Sequence, residues 1–191
     1  MVIPASIIEI ERQYTSDEFE MMPEFDAAYE LLDGRIIEKS MPGDEHGTIV
    51  ANIITALILL DPQRKLGKWW TNTSVKLDNS WEPIPDFMFV RATRVQPVTK
   101  KGLTVVPDLV VEVHSPHDLD TKKRRLEYLA KIKQYQAFRV AEVWVIKPDS
   151  QSVEIYHPDA VEPVKVLGID GELEVAAIIP GFKLKVADLF K

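Results

Sequence analysis

Ile49, Val50, Ile53, Ile54, Leu57, Ile58 and Leu60 are apolar at spacings of three and four, which bring side chains to one face only on a helix. The pattern predicts a helix over 45–60, capped by Asp44 after the Pro42-Gly43 break and largely covered by a sheet. Upstream, Thr15-Ser16-Asp17-Glu18 sets a capping residue before acids and predicts a short helix start. Asp33-Gly34 lies between Tyr29-Glu30-Leu31-Leu32 and Arg35-Ile36-Ile37-Glu38, a tight-turn dipeptide between apolar-rich arms, and predicts a hairpin over 28–40.

The rest of the chain reads mainly as strands. Trp69 to Leu77 is one, turned by Asp78-Asn79-Ser80. Pro85-Asp86-Phe87-Met88-Phe89-Val90 is a short apolar strand with an acid at its start. Asp108-Leu109-Val110-Val111-Glu112-Val113 is the most β-like run and reads as a buried central strand. Lys, Arg, Leu and Ala then predict a helix over 118–138. Glu142-Val143-Trp144-Val145-Ile146 predicts another buried strand, and Val153–Tyr156 an edge strand. Short β-like runs at 163–167 and 172–177 and a docking helix near 186–190 complete the chain. This order packs most simply as one α/β (α+β) domain over 1–191, a mixed sheet with a helix on each face.

Composition removes several classes of chemistry. There is no cysteine, hence no disulfide, thiolate metal site or cysteine nucleophile, which suits a reducing cytoplasm. The first residues have neither the basic nor the apolar region of a signal peptide. The longest apolar stretch, Ile53–Leu60, is far short of the roughly 20 residues of a membrane span and reads as buried helix. The net charge of −7 argues against non-specific coating of DNA, yet Arg91 to Arg139 holds eleven Lys and Arg against five Asp and Glu. Such a basic middle suits either a phosphate backbone or plain solvent. Gly-rich phosphate loops, Gly-x-Ser-x-Gly and His-Glu-x-x-His are missing. His114, His117 and His157 do not have metal-ligand spacing. Trp69-Trp70 suits a core or dimer interface better than base stacking.

Asp86 and Glu112 are the informative pair. An ionised carboxylate in a buried strand is costly unless a cation, donor or metal compensates it. Two such acids on neighbouring strands can converge on one hard divalent ion such as Mg2+ or Mn2+. The residues alone leave open the plainer reading, in which each acid meets a salt-bridge partner or an exposed edge.

Five segments in order carry a resemblance: Tyr29-Glu30-Leu31-Leu32-Asp33-Gly34, Pro42-Gly43-Asp44-Glu45-His46-Gly47, Pro85-Asp86, Pro107 to Pro116, and Glu142 to Pro148. The chain resembles the Uma-two family of restriction-endonuclease-like proteins, within the PD-(D/E)XK nuclease superfamily. The resemblance implies an αβββαβ core: helix 45–60, strands 68–77, 85–91 and 108–114, helix 118–138 and strand 142–147. It implies metal ligation by Asp86, Glu112 and the backbone carbonyl of Val113. The superfamily lysine is missing, because His114 stands two residues after Glu112. The family's helical lysine matches Lys131, in Lys131-Ile132-Lys133-Gln134-Tyr135, although an inner stripe of Leu119, Leu126, Leu129 and Ala130 would only flank Lys131 and would set Lys122 and Lys123 beside it one turn earlier. His46, Glu45, Glu30 and Glu38 are further candidates at the site. The implied function is metal-dependent hydrolysis of DNA phosphodiester bonds by a homodimer. The alternatives are an inactive nuclease fold that binds nucleic acid or a partner, and a hydrolase of another phosphoester.

Overall fold

The computed structural model describes residues 12–22, 27–40, 43–98, 102–115 and 121–191. Helix α1, Ser16–Glu20, starts with a capping box in which the Thr15 side chain accepts from the Glu18 N–H and the Glu18 side chain accepts from the Thr15 N–H. Strands β1, Tyr29–Leu32, and β2, Arg35–Glu38, form the expected hairpin. Its turn residues Asp33 and Gly34 both have positive φ, 53° and 71°, as the tight mirror-image turn requires.

Helix α2, Asp44–Leu60, is capped by Gly43, while Asp44 is its first residue and accepts the Glu45 N–H. Ile49, Val50, Ile53 and Leu57 are buried, but Ile58, Leu59 and Leu60 are exposed. The apolar run therefore covers the sheet with one face instead of being enclosed.

The central sheet holds β3 (Gly67–Thr71), β4 (Phe87–Arg91), β5 (Leu109–Val113), β6 (Glu142–Lys147), β7 (Ser152–Tyr156) and β8 (Lys165–Leu167), in that spatial order. All neighbours are antiparallel except β5 and β6. A parallel pair needs a crossover, and helix α3, Lys122–Ala137, lies in that connection. Residues 118–120 of the predicted helix lie outside the described residues, as do Pro42, Pro116 and His117.

Alternation along the strands divides the core in two. Phe87, Phe89, Leu109, Val111, Val113, Trp144 and Ile146 face α2 and the C-terminal segment. That segment adds β9 (Glu172–Glu174), β10 (Lys183–Lys185) and α4 (Val186–Leu189). Met88, Val110, Val143 and Val145 face Ile132 and Tyr135 of α3.

Some boundaries differ from the sequence reading. β3 stops at Thr71 because Asn72 turns left-handed, φ 45°, and Val75 instead bridges Leu103. Trp69 and Trp70 thus lie on an edge strand of the sheet. The edge expected at Val153–Tyr156 is paired by β8. Among the described residues no helix is long and apolar enough to cross a membrane.

The candidate active site

Phe87 pairs with Val111 and Met88 with Val110. Continuing that register by one residue sets Asp86 against Glu112, about 5 Å apart at Cβ in an ideal ladder. Both side chains lie on the α3 side, since each is two positions from the paired Met88 and Val110. The proline before the acid has its own effect. The register sets Pro85 opposite Val113, and a proline has no N–H to give to the Val113 carbonyl. The Pro85 carbonyl, the ladder acceptor for the Val113 N–H, accepts from the Asn72 N–H, and the Val113 N–H donates to Asp86 Oδ2 at 2.8 Å.

The second helix delivers Lys131. Its buried face is Lys131, Ile132, Tyr135 and Gln136, while Leu126 and Leu129 are 56% and 46% exposed. The inner stripe expected from the leucines is therefore the outer face, and Lys131 points inward. Its ammonium donates to Glu30 Oε1 at 2.7 Å and lies 2.9 Å from Glu112 Oε1. Tyr135, one turn on, donates its hydroxyl to the same Glu112 oxygen at 2.7 Å. Lys122 and Lys123 are exposed.

The hairpin supplies two more charges. Glu30 on β1 accepts the Ile84 N–H at 2.6 Å. Lys39, just past β2, donates to the Ile84 carbonyl at 2.5 Å and to Asp86 Oδ1 at 2.7 Å. His46, in the first turn of α2, places Nε2 2.8 Å from Asp86 Oδ2. Glu45 and Glu38 are exposed. His114 stacks its ring near Tyr128, centroids 4.6 Å apart, and His157 approaches Glu142 at 3.4 Å. Neither joins the cluster.

Three buried acids, two lysines and a histidine thus meet at the wall of a cleft of about 540 Å³. Arg12, Arg35, Lys123 and Arg124 also line the cleft beside Glu38 and Glu127, with Arg35 and Lys123 at 4.0 and 3.9 Å from Glu127.

The electrostatics separate the two acids. Burial pushes Asp86 up, but the His46 hydrogen bond and the charges of Lys39 and Lys131 outweigh it, holding the carboxyl well below its usual range. Burial pushes Glu112 up to about 7, with Asp86 and Glu30 adding to the rise and Lys131 and Lys39 opposing it. Burial disfavours the Lys131 charge, yet Glu112, Glu30 and Asp86 outweigh it and raise the group above the ordinary lysine range. Tyr135 is raised by burial and by Glu112, so its phenol stays protonated as a donor.

Among the described residues no three His, Asp or Glu side chains converge as a metal set. The register sets Asp86 and Glu112 opposite each other on one face, and Mg2+ is commonly held by one or two carboxylates with water completing its shell. Among the described residues Glu112 is engaged only through Oε1. That leaves its Oε2, together with the Val113 carbonyl facing Pro85, as hard oxygen donors. The donor chemistry fits such an ion.

Sequence reasoning missed Lys39 and Tyr135. Tyr135 had a signal, since four residues from Lys131 means the same helix face. Lys39 had none, because a lysine at the end of a hairpin arm ordinarily reads as solvated.

A crystal structure from Anabaena variabilis ATCC 29413, described as a putative nuclease belonging to DUF820, shares this fold. It superimposes with a TM-score of 0.76, at 23% sequence identity, over 92% of this chain and 97% of that one. With the strand order and the αβββαβ sequence of elements, this makes the fold restriction-endonuclease-like. None of the curated proteins compared matches the sequence. The profile of the Uma2 family, described as "Putative restriction endonuclease", matches residues 16–187. That span takes in every side chain of the buried cluster, and the chain belongs to the Uma2 family.

Proposed function

We propose that the protein is an endonuclease that hydrolyses DNA phosphodiester bonds with a divalent cation, Mg2+ or Mn2+. Asp86, Glu112 and the carbonyl of Val113 would hold the ion, and Lys131 would be the catalytic lysine. The observation that carries this reading is the placement of Asp86 and Glu112 on one face of adjacent strands, with a buried ammonium 2.9 Å from Glu112. A cation bound there would supply Lewis acidity toward a phosphodiester oxygen.

The chain's own groups have distinct parts in this reading. Asp86, held ionised by its partners, is the permanent negative ligand. Glu112, raised to about 7 by burial, would give up its proton to ligate the ion, so the cation would bind more weakly as pH falls through neutrality. Lys131 stays cationic and would stabilise charge developing on the phosphate. Arg35, Lys123 and Arg124 at the rim would contact flanking phosphates. A homodimer in the cytoplasm goes with this reading, since relatives that cut two strands pair their sites.

The test is a nuclease assay with Mg2+ of wild type beside Glu112→Gln, purified identically. Activity should fall by at least about 10- to 100-fold, the loss that even outer partners of a metal site carry. Equal activity in the two preparations would remove the site from the reaction.

One observation favours a second reading, an inactive nuclease fold that binds nucleic acid or a protein partner. Lys39, Lys131 and His46 already lie on the carboxylates, so the cluster is compensated without a metal. Under that reading wild type shows no cleavage yet retains salt-dependent DNA binding.

A further inference from the structure

The two oxygens of Asp86 are not equivalent. Oδ2 receives the Val113 N–H at 2.8 Å and His46 Nε2 at 2.8 Å, which occupy its lone pairs. Oδ1 receives only the Lys39 ammonium, at 2.7 Å, among the described residues. On the other acid, Oε1 of Glu112 is taken by Lys131 and Tyr135. A cation shared by the two acids therefore has Oδ1 of Asp86 and Oε2 of Glu112 left to it. One of those two places holds Lys39.

The two lysines are held differently. Lys131 lies between two carboxylates on a packed helix face. Lys39 touches one carboxylate and one backbone carbonyl, lines the cleft, and sits where the hairpin's pairing ends, with its own N–H on the Ala28 carbonyl. Its side chain is 12% exposed, so one rotation toward the cleft would take the ammonium to water without disturbing the core.

We propose that Lys39 is a tethered, displaceable counter-ion. In the metal-free protein it stands on Asp86 Oδ1 in place of the divalent ion, keeping the carboxylate charged and aligned, and it gives up that oxygen when the ion binds. The proposal rests on the metal-site reading above. Metal affinity is then set by competition, because the ion binds only the fraction of molecules in which Lys39 has moved away.

The experiment is calorimetric titration of the full chain with Mn2+ at fixed pH and salt, for wild type, Lys39→Met, Asp86→Asn and the double variant. Lys39→Met should bind Mn2+ more tightly, by about tenfold if the seated lysine predominates ten to one. Asp86→Asn should abolish binding in both backgrounds. Equal or weaker binding by Lys39→Met, with Asp86→Asn still abolishing it, overturns the displacement and leaves the metal site standing. No Asp86-dependent binding in either background overturns both.

Because Lys39→Met strips a buried carboxylate of a partner and folding can suffer, a second measurement uses wild type alone. Reductive methylation read by peptide mass spectrometry should find Lys39 protected without metal and reactive in saturating Mg2+, with Lys131 protected throughout. Lys39 labelling that does not change with metal overturns the proposal.

Discussion

Replacing Lys131 by Met keeps most of the side-chain length and removes the charge. In the wild type that charge lies 2.7 Å from Glu30 and 2.9 Å from Glu112, with 7% of the side chain exposed. Removing one partner of a buried ion pair costs about 3–5 kcal/mol, because the charge left behind is uncompensated. At this chain length each kcal/mol moves Tm by about 2–4 °C, so Tm should fall by about 10 °C at pH 8. The deficit should vary with pH. The Glu112 carboxyl titrates at about 7 in the folded protein, against an ordinary 4.5, chiefly through burial. A carboxyl raised in this way contributes stability that is full below its unfolded value and is lost as pH rises through its folded value. Without Lys131, which opposes the rise, Glu112 moves higher still and the loss runs past pH 7. Lys131 itself is raised above the ordinary lysine range and stays charged across this window. The gap between wild type and variant should therefore be narrow near pH 4.5 and widest above pH 7. Thermal melts followed by circular dichroism from pH 4.5 to 8.5 would measure it. A gap independent of pH, or an unchanged Tm, would refute the idea that this ammonium compensates Glu112.

Tyr135→Phe removes only the hydroxyl that donates to Glu112 at 2.7 Å. A hydrogen bond to a charged group contributes about 1.5–3 kcal/mol, so the urea midpoint should drop with m unchanged; an unmoved midpoint at pH 8 would mean the bond does not form in solution. Gly67→Ala would set a Cβ 2.3 Å from the Val90 carbonyl oxygen and 2.4 Å from a Phe89 ring carbon. Forcing β3 off β4 in this way should cost about 1–3 kcal/mol or more, read as a lower denaturation midpoint, and wild-type stability in this variant would contradict the close strand approach.

The strands were legible because their signals are local. Asp33-Gly34 fixes a turn by its own backbone preferences, and the runs 87–90, 109–111 and 143–146 are apolar on both faces, as a covered sheet requires. An acid at the head of such a run or within its strand stands out against that background, which is how Asp86 and Glu112 could be named. The inner face of α3 was misread for the converse reason. Apolar periodicity chooses Leu126 and Leu129, whereas the helix buries Lys131, which reaches the charged cluster, and Gln136, which donates to the His157 and Ala160 carbonyls. Patterning rules fail where a site overrides them. Lys39 was beyond such rules altogether, and Glu30 was a candidate only through the family resemblance. Their partners are 47 and 101 residues away, and only the docked hairpin brings them there.

That docking explains how the cluster is assembled. A two-stranded hairpin is marginal alone, and this one is joined to the loop before β4 by reciprocal backbone bonds between Leu31 and Glu82. Both polar groups of the Ile84 backbone are then used by the hairpin's charges, the N–H by Glu30 and the carbonyl by Lys39. The loop carrying Asp86 is thus aligned by the same residues that compensate the site. Before docking, the sheet offers two acids that repel one another; the hairpin adds one charge of each sign, and α3 adds the second lysine. Burying so many charges is a poor way to hold a fold together, since well-packed apolar residues at such positions are often as stable or more so. A chain under no demand but stability would do as well with leucines here, so the charges argue for chemistry at this cleft.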